Sequence, residues 1–233
     1  MKNSFVFALT LLFGSLSVMA QRTVEKTERL SRGQEVFVDF KFAGDIQLQH
    51  WNQSEIKVVA TVHIDDGAGN DSYSLVSEKS GSGLKIYSDF GDYFKKKGKK
   101  GSYTDCHSTT KLEYVVYLPK GIKLKVKSIS GSLSAQTFEG ELTTDLISGD
   151  VELANYNGPL KLKTISGNLD VVIKKAEVRA KSLTGTIYSD LEISFNSKGD
   201  HGNKVYGSIN NGGDMVKMET ISGNIYMRSK PKG

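Results

Sequence analysis

A short phrase recurs through the second half of the chain and restricts its fold more than any other feature. It reads Ile129-Ser130-Gly131, Ile147-Ser148-Gly149, Ile165-Ser166-Gly167, Leu183-Thr184-Gly185, Val205-Tyr206-Gly207 and Ile221-Ser222-Gly223. Successive glycines are 18, 18, 18, 22 and 16 residues apart. Gly140 and Gly158 lie nine residues after the first two, and Ala176 takes the third such place. A fixed period of this length marks a solenoid, in which each unit buries its apolar side only by stacking on its neighbours.

Inside each unit the period is two. After the glycine an apolar residue stands at the second position: Leu133, Val151, Leu169, Ile187, Ile209, Ile225. The strand leading into each corner alternates as well, with Leu142, Leu160/Leu162 and Val178/Ala180. Alternating Ile, Val and Leu predicts strands with one face on a core. The spacings of three and four that an amphipathic helix needs are missing. The sequence therefore predicts an all-β, single-stranded parallel β-helix (a β-solenoid) of about 18 residues per coil. Gly131, Gly149, Gly167, Gly185, Gly207 and Gly223 form its corner, where glycine tolerates positive φ or close approach of the next coil. The hydroxyls of Ser130, Ser148, Ser166, Thr184, Tyr206 and Ser222 are expected to satisfy backbone groups at that corner. Residues 196–203 read as a loop bulging from the fourth unit, and Asn210-Asn211-Gly212-Gly213 as a turn in a shortened fifth unit.

Upstream, strands are predicted at Val36–Phe40, Asp45–Leu48, Ile56–Val62, Tyr73–Ser77, Leu84–Ser88 and Lys111–Leu118. Leu124 and Val126 fall in the same inward columns as Leu160 and Leu162, so the repeats begin near 122 or earlier in looser form. The organisation expected is 1–20 as a signal peptide, 21–121 as an N-terminal β region and cap, and 122–233 as regular solenoid repeats. A cap is needed because an open first coil would present an unpaired edge. The charged tail from Arg228 on, with Pro231, suits the other open end. A lysine-rich loop (89–110) interrupts the cap, and its lysines beside aromatics suit either a solvated loop or an anionic contact.

Met1-Lys2-Asn3, the apolar run Phe5–Phe13 and Val18-Met19-Ala20 have the order of a secretory signal. That run is too short for a membrane span, and no later segment is apolar enough for one. Export to the periplasm, the cell surface or the outside is expected. Nucleic acid is then not an expected partner. One cysteine in 233 residues excludes a disulfide scaffold, and Cys106 beside His107 lacks the further ligands of a metal site. His63–Asp71 is oxygen-rich but lacks calcium-loop spacing, and a turn explains it as well. No cofactor is expected.

Alternation also assigns the outward faces. Before the corner stand Lys125/Lys127, Thr143/Asp145, Lys161/Lys163, Arg179/Lys181 and Lys217/Glu219, seven bases against two acids. After the corner, the outward positions hold Asp150, Glu152 and Asp170 and no base. The formal charge of +5 thus hides a basic face and a mildly acidic one. Lys125, Lys127, Lys161, Lys163, Arg179, Lys181 and Lys217 are the candidate binding residues. Anionic envelope polysaccharide or another surface protein are the candidate partners, against the plainer role of keeping a strand face soluble. No catalytic residue is assigned. The alternative is a glycan-active β-helical enzyme using Asp150, Glu152 and Asp170.

The phrase Tyr117-Leu118-Pro119-Lys120-Gly121, followed by repeated Ile-Ser-Gly-x-(Leu/Val/Ile), resembles exported bacterial β-strand-repeat domains of the putative-adhesin type, similar to auto-transporter adhesin head domains. The resemblance covers roughly 35–227. It implies a single-stranded β-helix in the envelope or outside the cell, non-catalytic, of a domain class without assigned function.

Overall fold

The structure, a computed structural model, describes residues 21–81, 83–95, 109–195 and 204–231. The segments read above as signal peptide (1–20), most of the lysine-rich loop with Cys106 and His107, and the 196–203 loop lie outside the described residues. The chain is all-β, with its strands joined in one large sheet that does not close.

The first six strands are β1 (Arg22–Arg29), β2 (Glu35–His50), β3 (Glu55–Ile64), β4 (Ser74–Ser80), β5 (Gly83–Asp89) and β6 (Thr110–Leu118). The hydrophobic alternation of Glu55–Ile64 gives β3 a strict in-out burial pattern. β3 pairs antiparallel with both β1 and β6, and β4 with β5. β2 is long because it turns the corner itself. Its first half pairs parallel with β5, its second half with β6, and the register slips between Phe42 and Asp45, beside Ala43-Gly44.

β7 (Ile122–Ala135) then lies parallel to β2 along its length, placing Leu124 beside Val36 and Leu133 beside Ile46. The stack therefore already includes β2, ahead of residue 122. Next come β8 (Phe138–Ser148), β9 (Val151–Leu153), the short β10 (Tyr156–Asn157), β11 (Leu160–Ser166) and β12 (Leu169–Val172). Leu124, Leu142 and Leu160 are neighbours on successive rungs, 18 residues apart.

Beyond that point the order of rungs leaves the order of the chain. The remaining strands are β13 (Ala176–Ser182), β14 (Ile187–Ser189), β15 (Ser194–Phe195), β16 (Lys204–Ile209), β17 (Met215–Ser222) and β18 (Ile225–Arg228). β11 pairs with β17, setting Leu160 beside Val216 and Leu162 beside Met218. The other neighbour of β17 is β13, with Val178 beside Val216. On the far side of the corner β18 likewise lies between β12 and β14. The last coil thus fills a slot between two earlier ones. The chain reaches that slot by reversing through β15 and β16, which pair antiparallel with each other, and β16 pairs antiparallel with β13.

This order refines one expectation and corrects two. The expected parallel stacking at an 18-residue offset holds from β7 to β12, and the antiparallel strands β1, β3 and β6 supply the expected N-terminal cap, but the later coils leave that order and β16 runs antiparallel to β13. Val205-Tyr206-Gly207 is not a corner; Gly207 lies mid-strand opposite Val178. The longer spacing before it is part of the reversal. The tail is not an open end either, because Arg228 sits on an interior rung beside Val172. At the terminal rung the outer edge of β13 is covered by the reversed β16, whereas β14 pairs only with β18 among the described residues.

The core is a set of aliphatic ladders. Val36, Leu124, Leu142, Leu160, Val216 and Val178 form one, each at most 2% exposed. At the N-terminal end the ladder gives way to rings: Phe40 stacks on Tyr114 with centroids 4.0 Å apart, and the Tyr73 hydroxyl donates to that of Tyr114 at 3.1 Å. Burial pushes the Tyr114 phenol up to about 12, and Tyr73 higher still, so both stay neutral.

The corner glycines form a spine in which each abuts the carbonyl of the one before it. Gly149 meets Gly131, Gly167 meets Gly149, Gly223 meets Gly167, and Gly185 meets Gly223. At Gly149 φ is +138°, and a Cβ would run into the Gly131 carbonyl oxygen. Only glycine serves there. The hydroxyls that satisfy these corner carbonyls are buried ones, two residues before the hydroxyl residue of the phrase. Thr164 donates to the Gly149 oxygen at 3.1 Å, Thr220 to Gly167 at 3.0 Å and Ser182 to Gly223 at 2.8 Å. Of the phrase's own hydroxyls, Ser130 donates to the Ala43 oxygen at 3.2 Å and Thr184 to the Ile221 oxygen at 2.9 Å, as expected, whereas Ser148, Ser166 and Ser222 are exposed.

Candidate functional site

Alternation on β7, β8, β11, β17 and β13 sends every second side chain away from the core, and the register lines these up across rungs. Three outward columns result. The first runs Lys125, Thr143, Lys161, Lys217, Arg179. It is flanked by Phe37 next to Lys125 and Tyr206 next to Arg179. The Lys125 and Lys85 ammonium groups lie over the Phe37 ring at 5.4 and 5.7 Å. A hollow of ≈ 350 Å³ opens there, lined by Phe37, Lys85, Lys123, Lys125, Glu35 and Glu78 among others.

The second column, two residues further along each strand, alternates in sign: Asp39, Lys127, Asp145, Lys163, Glu219, Lys181. Lys163 approaches Asp145 at 3.9 Å. Neighbours about 4.8 Å apart with opposite charge neutralise one another. Glu219 also reaches Lys217 at 2.8 Å. Among the described residues, Lys125, Lys161 and Arg179 have no carboxylate within 4.0 Å. The seven bases singled out from the sequence therefore divide. Lys125, Lys161, Lys217 and Arg179 form one basic column, whereas Lys127, Lys163 and Lys181 belong to a self-compensating one. The insertion of the last coil matters here, because it brings Lys217 between Lys161 and Arg179 and Glu219 between Lys163 and Lys181.

The third column was missed by sequence reasoning. Ile129, Ile147, Ile165, Ile221 and Leu183, the first residues of the recurring phrase, are 40%, 46%, 40%, 44% and 61% exposed. Their parity with Lys125 and Lys127 could have revealed this, since buried positions on β7 before the corner are even-numbered and Ile129 is odd.

The face after the corner differs. Asp150 is a structural corner residue: its carboxylate accepts from the Asn168 N–H at 2.7 Å. Asn168 in turn accepts from Asn224, and Asn224 from Thr186, each at 2.9 Å. Glu152 and Asp170 are rung neighbours, followed by Tyr226 and then Tyr188. The two tyrosines stack with centroids 5.1 Å apart. Arg228 Nε donates to both Asp170 oxygens, at 2.7 and 2.9 Å, and its guanidinium lies over Tyr226. The three carboxylates thus do not act as a group. The His63–Asp71 segment forms two short 3₁₀ turns, held by Asp65 accepting from Tyr93 at 2.5 Å and from the Thr109 N–H at 3.1 Å. Among the described residues no three His, Cys, Asp or Glu side chains gather as a metal site.

An all-β, solenoid-like protein with a charged strand face is the class these features define. The chain belongs to the Toastrack DUF4097 family, a domain of unknown function, whose model matches residues 44–228. Its fold is similar to that of a putative cell adhesion protein from Clostridium sporogenes, with 14% identity, a TM-score of 0.60, and 90% of this chain and 99% of that one covered. A putative adhesin from Bacteroides fragilis aligns over 90% of this chain and 98% of its own at 9% identity and a TM-score of 0.29. No curated protein matches the sequence.

Proposed function

We propose that this protein is an exported, non-catalytic contact protein of the cell envelope, adhesin-like, whose basic column binds an anionic envelope polymer. The observation that carries this is the column itself: Lys125, Lys161, Lys217 and Arg179 on consecutive or near-consecutive rungs, with the neighbouring column neutral overall. Cations repeating about every 4.8 Å on a flat sheet suit a regularly spaced polyanion. A face that only needed solubility would do as well with the alternating pattern found two residues away. The C. sporogenes protein's adhesion label fits this reading. The export signal in the first twenty residues supports the envelope location.

The two columns provide their own control. Heparin-affinity elution and binding to lipopolysaccharide should weaken at least about 10-fold in Lys161→Glu/Arg179→Glu. Lys163→Glu/Lys181→Glu changes charge equally and should weaken binding far less. Equal loss in both pairs would reduce the effect to net charge; no loss in the first pair would sink the proposal.

The glycan-active alternative is weaker. Asp150 is committed to the corner and Asp170 to Arg228, which leaves Glu152 without a second carboxylate free to act with it.

A further inference from the structure

We infer that the face carrying the basic column docks on an anionic lipid surface, with the isoleucines of the recurring phrase entering the headgroup layer. This rests on the basic column being the anion-binding face, and goes beyond the polymer by naming a lipid leaflet as a second anionic surface that the face meets.

Lys125, Lys127 and Ile129 alternate with buried Leu124, Val126 and Ser128, so all three leave β7 on one side. Thr143, Asp145 and Ile147 repeat this on β8, and Lys161, Lys163 and Ile165 on β11. Ile165 lies beside Ile147, because Thr164 pairs with Leu146 and Ser166 with Ser148. It lies beside Ile221 on its other side, because Thr164 pairs with Thr220 and Ser166 with Ser222. Ile129, Ile147, Ile165 and Ile221 therefore form a continuous exposed ridge of about 14 Å. It runs parallel to the basic column at a distance of about 13 Å along the strands.

A polyanion in water needs the cations but has no use for the ridge. A row of four aliphatic side chains at 40–46% exposure on one line is not the scatter expected of an ordinary surface. A second copy laid face to face would bring two basic columns together without counter-charge. A neutral apolar protein partner would strip water from Lys161 and Arg179 without giving them an acceptor. An anionic leaflet meets both needs at once. Its phosphates face the cations, whose long stems let the charge stay at headgroup level, and its upper acyl region receives the isoleucines. Neither contact is strong alone, and stable attachment at a lipid surface ordinarily takes two such signals. The alternating column between them carries no net field that would oppose the approach.

Co-sedimentation with phosphatidylglycerol vesicles, with phosphatidylcholine vesicles as control, tests this. The native protein should pellet with the first and not the second. Ile147→Thr/Ile165→Thr/Ile221→Thr keeps β-branched residues at exposed strand positions. It should lower partitioning to phosphatidylglycerol about 10-fold or more while leaving heparin elution unchanged. Lys161→Glu/Arg179→Glu should lose both. If the triple variant melts well below the native protein, Ile165→Trp serves instead. Its emission, corrected for that of the native Trp51, should shift to the blue on phosphatidylglycerol vesicles. Native protein that binds heparin but not these vesicles would overturn the lipid inference and leave the polymer reading standing. So would undiminished vesicle binding by the triple variant, an unshifted emission from the Ile165→Trp variant, or equal binding to both lipids. Heparin binding that survives Lys161→Glu/Arg179→Glu would instead overturn the proposal on which this rests.

Discussion

The rungs β7, β8 and β11 and the rungs β17 and β13 carry the same corner phrase yet obey different stacking rules. In the first group β8 lies on β7 and β11 on β8, each at an offset of 18 residues. In the second, β17 enters between β11 and β13, which came earlier. The chemistry of the two groups is nonetheless continuous. Leu162 meets Met218 and Met218 meets Ala180 in the core, and Gly167 meets Gly223 and Gly223 meets Gly185 at the corner. A rung is thus interchangeable with its neighbours as far as local contacts go. What the reversal changes is exposure of edges. The last coil gains a partner on each side, and β16 covers the outside of β13.

The sharpest way to break this contrast is to remove residues 210–233. In a chain stacked in sequence order this would peel off one end and leave the rest intact. Here it empties a slot between β11 and β13, so β13, β14 and β16 should lose their seat as well. Hydrogen exchange should show protection lost across 176–189 and 204–209 and retained across 122–171. Retained protection in 176–189 and 204–209 would refute the rung order.

Next in size is the glycine spine. Gly149→Ala and Gly223→Ala should each cost about 3 kcal/mol or more, because a Cβ strikes a carbonyl of the adjoining rung in both groups. Gly213→Ala, whose Cβ would meet only Lys175 at 3.3 Å or beyond, should cost about 0.5 kcal/mol or less. Urea unfolding of the three variants compares them. A mild Gly223→Ala would mean that the inserted rung does not press on Gly167.

The hydroxyls come third. Thr220→Val removes the donor to the Gly167 oxygen from a buried site and should cost about 1–2 kcal/mol. Ser222→Ala, two residues on and exposed, should be near neutral by the same thermal or urea measurement. Equal costs would restore the serine of the phrase to the structural role its position suggested.

The smallest effect is at the capped N-terminal end. The Ser77 hydroxyl, with Lys79 and Lys26 nearby, holds the Glu28 carboxyl below its ordinary value of 4.5 despite some opposing desolvation. A lowered folded-state pKa contributes stability that is complete above the unfolded value and lost as pH falls through the folded one. Glu28→Gln should therefore lower the melting temperature slightly at neutral pH and flatten its decline below about pH 4.5. Identical acid limbs in the two proteins would show that the contact contributes nothing.

Much of the face chemistry was legible before any coordinates. Period two sorted Leu124 and Val126 from Lys125 and Lys127, and the same parity test applied one step further would have put Ile129 outside. The phrase by itself does not show this, since an apolar residue beside a corner glycine suits an inward-packed corner equally well. The buried hydroxyls were also within reach, since Ser128, Thr164, Thr220 and Ser182 share the parity of the leucines. Asp170 is different. Its pairing with Arg228 spans 58 residues and depends on β18 lying against β12, which no local pattern announces.

Alternation is a property of each strand alone, so the sequence by itself determined which side chains face the core, five of the six glycine corners, and that lysines line the outside; Gly207 carries the same phrase yet lies mid-strand. The order of the rungs is a relation between strands with nearly equal ladders, and near-equal partners cannot be told apart locally. Only the tertiary structure decided it, by the free energy of leaving edges unpaired. With that order came the facts on which binding turns: Lys217 joining Lys161 to Arg179, Glu219 neutralising the column beside it, and Ile221 completing the ridge.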